Sequence, residues 1–207
     1  MEIQTIITGK LCNNTYLVIS KQGNAVMIDP GVGTAEILRA LHQSGAHLSY
    51  ILLTHGHYDH TASVAALMEE TGAKSVLHRR DAQMLCDDHK CMSYLFTKKP
   101  AVFEPSLLSQ DGTEIILDEL TFTFISTPGH TRGSCVIRCD DVLFTGDTVL
   151  EGTVGRTDFY SGSEELMIQS VRRLSAMEGD FRLLCGHGSP STLSRERCEN
   201  AYFVQYG

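Results

Sequence analysis

Residues 54–60 read THGHYDH and follow directly on the apolar run YILL at 50–53. Three histidines and an aspartate thus fall within positions 55–60. On an extended segment residues two apart point the same way, so His55 and His57 can face one metal ion while Gly56 keeps the backbone uncrowded. Asp59 and His60 lie beyond them, where the chain turns into the next helix, and can aim at a second point nearby. One ion does not easily accept all four. Imidazole with carboxylate suits zinc, iron or manganese, and suits calcium or magnesium poorly. The bland alternative is a polar, solvated loop, and ligand types at this density argue against it.

Four donors from one segment leave two ions under-coordinated, so distant donors are needed. STPGH at 126–130, LFTGD at 143–147 and LLCGH at 183–187 supply His130, Asp147 and His187, each beside a glycine and just past an apolar stretch. Glycine permits a tight turn and close backbone approach. Taken singly, His130 or His187 would be a capping or hydrogen-bonding histidine and Asp147 a turn residue. Beside the cluster they become ligands, and a carboxylate suits a bridging position between two metals. Asp29, in IDPG at 28–31, reads as a turn residue that orients a ligand through a hydrogen bond. His42, His47, His78 and His89 read as ordinary surface histidines.

Outward from the cluster, short strands and helices alternate. TYLVIS and NAVMID are apolar, β-branched stretches separated by the turn-like KQGN, and AEILRALHQSG is a helix capped by Thr34, with Ile37, Leu38 and Leu41 on one face and Gly45 at its end. YILLT suits a buried strand, and TASVAALMEETG a helix with Val64, Leu67 and Met68 inward. The second half repeats the grammar. TFTFIST, SCVIRC, DVLFTGD and FRLLCGHG read as strands, and SEELMIQSVRRLSAM as a helix with acidic residues in its first turn. Residues 77–110, with Pro100 and Pro105, read as an excursion near the site. The expected class is α/β, with strands packed under helices on both sides and the polar residues at strand ends on one rim.

The whole chain sets bounds on function. Its 207 residues suit one domain, 1–207, with a real core and no second catalytic domain. With 42% hydrophobic and 20% charged residues and no apolar run of membrane-spanning length, no membrane role is expected. The N-terminus lacks the basic and apolar regions of a signal peptide, and the seven cysteines are odd in number, scattered and free of CxxC spacing. Reduced thiols in the cytoplasm are expected. A net charge of −8 argues against nucleic acid as a partner.

In order along the chain, THGHYDH, TPGHTRGS, LFTGDTV, GRTDF and CGHG resemble the motifs of the metallo-β-lactamase fold hydrolases, and within them the short, single-domain glyoxalase II-like branch. The opening NNTYLV…MIDPG extends the likeness almost to the N-terminus. The resemblance implies a four-layer αββα sandwich with the site along one edge of the sheets. It implies that His55, His57 and His130 hold one divalent metal ion and Asp59, His60 and His187 a second, with Asp147 bridging. Zinc is the first expectation, with iron or manganese as alternatives. A hydroxide shared by both ions is then the nucleophile, so Asp59 and Asp147 serve catalysis as ligands and no serine or cysteine nucleophile is required. GRTDFYSG aligns with a segment that binds substrate, which points to Arg156 and Tyr160. Arg156 could grip a substrate carboxylate or pair with Asp158. Unlike full-length glyoxalase II enzymes, the chain shows no C-terminal glutathione-binding helical domain; the tail SPSTLSRERCENAYFVQYG suits a short helix capped by Ser194.

The implied activity is hydrolysis of a small-molecule acyl thioester, or of a similarly activated ester, by a monomer or homodimer. A mononuclear iron persulfide dioxygenase and a lactonase are the rival enzymes, since both share much of the motif. A flavodiiron-type oxygen reductase would carry Glu at position 57, and β-lactamases of this fold usually lack His at position 60. A purely structural metal site would favour closed, cysteine-rich coordination.

Overall fold

In the computed structural model, which describes residues 1–97, 99–100 and 102–207, the strands form two six-stranded sheets. β1 (Glu2–Thr8), β2 (Asn13–Ile19) and β3 (Asn24–Ile28) make an antiparallel meander. β4 (His47–Leu52), β5 (Lys74–His78) and β6 (Leu107–Ser109) extend it in parallel. Parallel neighbours need crossovers, and α1 (Thr34–Ser44), then α2 (Tyr58–Thr61) with α3 (Val64–Thr71), supply those into β4 and β5. In the second sheet β7 (Glu114–Leu117), β8 (Leu120–Ser126), β9 (Cys135–Cys139) and β10 (Val142–Gly146) run antiparallel. α4 (Glu164–Ser175) crosses to β11 (Arg182–Cys185), which pairs parallel with β10 and antiparallel with β12 (Ser191–Thr192). α5 (Leu193–Glu199) and α6 (Ala201–Tyr206) follow.

Side-chain alternation stacks these elements into the expected four layers. Tyr16 and Val18 of β2 face Phe122, Phe124, Ile137 and Phe144 of the second sheet, while Leu17 between them joins Ile37, Leu41 and Leu67 under α1 and α3. Val136 and Leu143 turn the other way, toward Met167, Val171 and Phe203 of α4 and α6. Burying both faces explains why central strands read as continuous apolar runs. Phe122, Phe124 and Phe144 are fully buried between the sheets, and truncating any of them to alanine would cost about 3–5 kcal/mol. No helix among the described residues is long and apolar enough to cross a membrane.

Several local expectations are corrected. α1 is preceded by Gly33 with no side-chain cap; Thr34 is already helical, and its hydroxyl meets that of Ser63 at 2.8 Å. The tail forms two helices, capped by Thr192 and Asn200 rather than by Ser194, because those residues hold the extended backbone a cap requires. His78 is buried, its Nε2 3.3 Å from the Ser126 hydroxyl, and so is no surface histidine. The excursion at 77–110 begins in β5, makes two single-turn 3₁₀ helices, Ala82–Met84 and Ser93–Leu95, and returns as β6; its residues 98 and 101 lie outside the described ones.

Candidate metal centre

Every strand end marked in the sequence reaches the same rim. His55 and His57 leave β4, Asp59 and His60 ride on the single turn of α2, His130 follows β8, Asp147 follows β10 and His187 follows β11. Donor atoms of His55, His57 and His130 lie within 4.8 Å of one another, and so do those of Asp59, His60 and His187. Asp147 stands between the groups, one carboxylate oxygen 3.5 Å from His60 Nε2 and the other 3.5 Å from His130 Nε2. A Cβ on Gly186 would collide with Asp147 Oδ1 and His60 Cε1, which explains the glycine before His187.

The outer hydrogen bonds fix which atoms face inward. His130 Nδ1 lies 2.7 Å from the Arg156 carbonyl and His187 Nδ1 3.1 Å from the Leu11 carbonyl. A carbonyl only accepts, so both Nδ1 atoms carry hydrogen, and in the neutral ring Nε2 offers its lone pair to the centre. His60 Nδ1 donates likewise to Asp29, at 3.1 Å. Thr54 gives its hydroxyl proton to Asp29 at 2.6 Å and therefore accepts from His55 Nδ1 at 3.1 Å. His55 Nε2 is left buried without a partner, as is Asp147 Oδ1. His57 approaches His130 Nε2 through its Nδ1, at 2.9 Å.

Electrostatics point the same way. Asp29, Asp59 and Asp147 surround five imidazoles in a largely buried site, an arrangement that needs positive charge. Burial, with His60 and the other histidines, drives His55 far below the usual histidine range, and burial with His130 takes His57 down to about 3. Burial opposes charge on His60 too, yet Asp59, Asp147 and Asp29 outweigh it and raise that ring to about 10. Burial likewise works to raise the Asp59 carboxyl, but His60, His187 and Asn13 hold it well below the carboxylate range. Converging lone pairs, orphaned buried acceptors and surplus negative charge fit divalent cations bound by imidazole and carboxylate.

Beside the centre opens a cavity of about 390 Å³, lined by His57, Asp59, His130, Asp147 and His187 at one end and by mostly apolar side chains elsewhere. Arg156 lies on its wall, but its guanidinium makes two bonds to Asp158, at 2.9 and 2.7 Å. The aromatic residue facing the histidines is Phe159, 6.1 Å from the His57 ring; Tyr160 lies outside the lining, with Lys90 over its ring at 5.3 Å. Three supporting residues escaped sequence reasoning. Asn13 donates to Asp59 at 3.0 Å, Thr54 relays His55 to Asp29, and Asp81 braces the ligand loops from below. Asn13 lies within a motif the resemblance already quoted; nothing in the sequence marks Asp81.

A family model described as the metallo-beta-lactamase superfamily matches residues 9–187. The chain belongs to the metallo-beta-lactamase superfamily. Within it the chain is 28% identical to the hydroxyacylglutathione hydrolase GloC of Haemophilus influenzae, over 98% of each chain. Two solved structures are similar throughout. BLEG-1, described as a B3 metallo-beta-lactamase, has a TM-score of 0.92 at 26% identity, covering 98% of this chain and 100% of that one. TTHA1623 in a di-iron-bound form has a TM-score of 0.86 at 28% identity, covering 96% and 99%. The superfamily and the His/Asp clusters together make this a metal-dependent, hydrolase-type site.

Proposed function

We propose that the chain is a dinuclear metal-dependent hydrolase of thioesters or similarly activated acyl esters. The observation that carries this reading is the convergence of five imidazoles and two carboxylates at one mouth of an apolar cavity. His55, His57 and His130 would hold one ion and Asp59, His60 and His187 the other, with Asp147 between them; zinc, iron and manganese all suit the donors. Bound there, such ions supply hydroxide at neutral pH and polarise an acyl carbonyl.

The chain's own residues orient and exclude. Asp29, Thr54 and the carbonyls of Leu11 and Arg156 set the histidine tautomers, and Asn13 fixes the inner Asp59 oxygen. Leu11, Phe96 and Phe159 present apolar surface that would exclude water from the reacting bond once an acyl group covers it. A cysteine nucleophile is disfavoured, since Cys135 and Cys185 are fully buried and burial raises the Cys185 thiol to about 12. The Haemophilus relative, a hydroxyacylglutathione hydrolase, supports a thioester as substrate, and BLEG-1, a B3 metallo-beta-lactamase, adds β-lactams to the compounds worth trying.

Metal content per chain, measured on protein purified without added metal, tests the reading when thioester cleavage and oxygen uptake are followed on the same sample. About two ions per chain with cleavage is the expected result. About one iron with persulfide-dependent oxygen uptake would replace the hydrolase by a dioxygenase.

A further inference from the structure

Resting on the thioester hydrolase reading, we infer that the cavity beside the centre selects a neutral, apolar acyl group of several carbons. Its wall is built by three separate segments: Leu11 from the β1–β2 turn, Met92, Leu95 and Phe96 from the excursion, and Val154 and Phe159 from the loop after β10. Leu11 and Leu95 are 51% and 57% exposed, so apolar surface lies open to water at a site that binds something. Covering it with hydrocarbon is favourable in proportion to the area removed from water.

The polar inventory of the wall is short. Apart from the histidines and aspartates of the centre, Arg156 is the one charged side chain among the described lining residues. It is occupied twice over, bonded to both oxygens of Asp158 and lying 4.1 Å from the centroid of the Phe159 ring. An acyl group ending in carboxylate would have to share that guanidinium with the Asp158 charge or leave its own charge against leucine and phenylalanine. Common thiol carriers are rich in amides and charges, so the apolar wall suits the acyl side of the scissile bond and leaves the thiol side toward solvent.

The wall is also tied to the centre. The Tyr58 amide, between His57 and Asp59, donates to the Cys91 carbonyl at 2.7 Å, and the Tyr58 ring lies 5.7 Å from that of Phe96. Met92 next to Cys91 holds a left-handed backbone, φ 63°, that a non-glycine residue adopts only when its surroundings impose it. Residues 91–96 are thus fixed against the ligand loop, and their apolar side chains stand at a set distance from the atoms that would meet the carbonyl.

The test uses thioesters of one neutral thiol, N-acetylcysteamine, with acetyl, butyryl, hexanoyl, octanoyl and succinyl groups, on the metal-loaded protein. Each added methylene should raise kcat/KM roughly fourfold until the wall is covered, and succinyl should fall about tenfold or more below butyryl. Leu95→Glu, on an exposed single turn where it threatens no core, should flatten the series. Calorimetric titration with butyrate, hexanoate and succinate reads the same preference without turnover. Cleavage that is flat or falling with chain length, or that prefers succinyl to butyryl, would overturn the inference and leave the hydrolase reading standing. Failure to cleave any of the five would overturn both.

Discussion

Asp81 Oδ1 accepts the Gly133 amide at 2.7 Å, and a Cβ on Gly133 would lie 2.5 Å from that same oxygen. The other oxygen takes the Gly56 amide at 3.0 Å and the Thr131 hydroxyl at 2.6 Å. One fully buried carboxylate thereby ties the loop bearing His55 and His57 to the loop bearing His130. Asp81→Ala would leave the two buried glycine amides without partners, at about 1–3 kcal/mol each, while the Thr131 hydroxyl keeps that of Ser134 at 2.8 Å. The expected result is a loss of at least ~2 kcal/mol, a Tm lower by roughly 4–8 °C, and metal binding weakened about 10–100-fold. Calorimetric unfolding and chelator competition measure these, and an unchanged metal affinity would remove Asp81 from any part in shaping the site.

Stripping the metal should destabilise the fold, because the buried carboxylates and orphaned imidazole nitrogens then lose their counter-charge. A single ion present at a thousand times its dissociation constant stabilises by about 4 kcal/mol, so chelation should lower Tm by about 10 °C or more. Scanning calorimetry with and without chelator reads the shift. Coincident transitions would mean that the centre is no part of the stability of the fold.

Asp147→Ala removes the carboxylate that reaches both His60 and His130. Hydrolysis should fall at least about a hundredfold and metal content should drop at both positions, since the remaining imidazoles lose their shared anion. A protein that kept full activity would eliminate the bridged arrangement.

The seven thiols should divide sharply. Cys12, Cys86 and Cys198 are exposed, whereas Cys91, Cys135, Cys139 and Cys185 are buried, and burial raises Cys139 and Cys185 to about 12. At pH 8 the folded protein should titrate three fast thiols with a disulfide reagent and all seven only after denaturation. Fast labelling of Cys135 would contradict its packing beneath the Thr54 carbonyl.

The centre was legible because its residue types are rare in combination and fall just past strand ends, with Asp59 and His60 on the single helical turn that follows β4. The α/β class with strands under helices was legible from the alternation of short apolar runs, such as those of β2 and β10, with helical periods, whereas the four-layer sandwich came with the family resemblance. The supports were not. Asp81 acts through backbone amides of glycines 25 and 52 positions away in sequence, and such a contact leaves no local pattern. Tyr160 and Phe159 are adjacent in the chain, and the turn geometry after Asp158 alone decides which ring faces the histidines. The helix caps went astray because Thr192, Ser194 and Asn200 are all chemically able to cap, and backbone dihedrals choose among them.

His187 meets His60 across 127 intervening steps of sequence, and Asn14 clasps the carbonyls of Cys185 and Gly188 from the far end of the chain. During synthesis the histidine-rich segment emerges long before its last partners exist. A nascent chain can therefore present imidazoles to the cell as a loose chelator, but it can close the centre only once the segment after β11 has been released. With the proposed ligand set, loading would then be a late event in the life of each molecule.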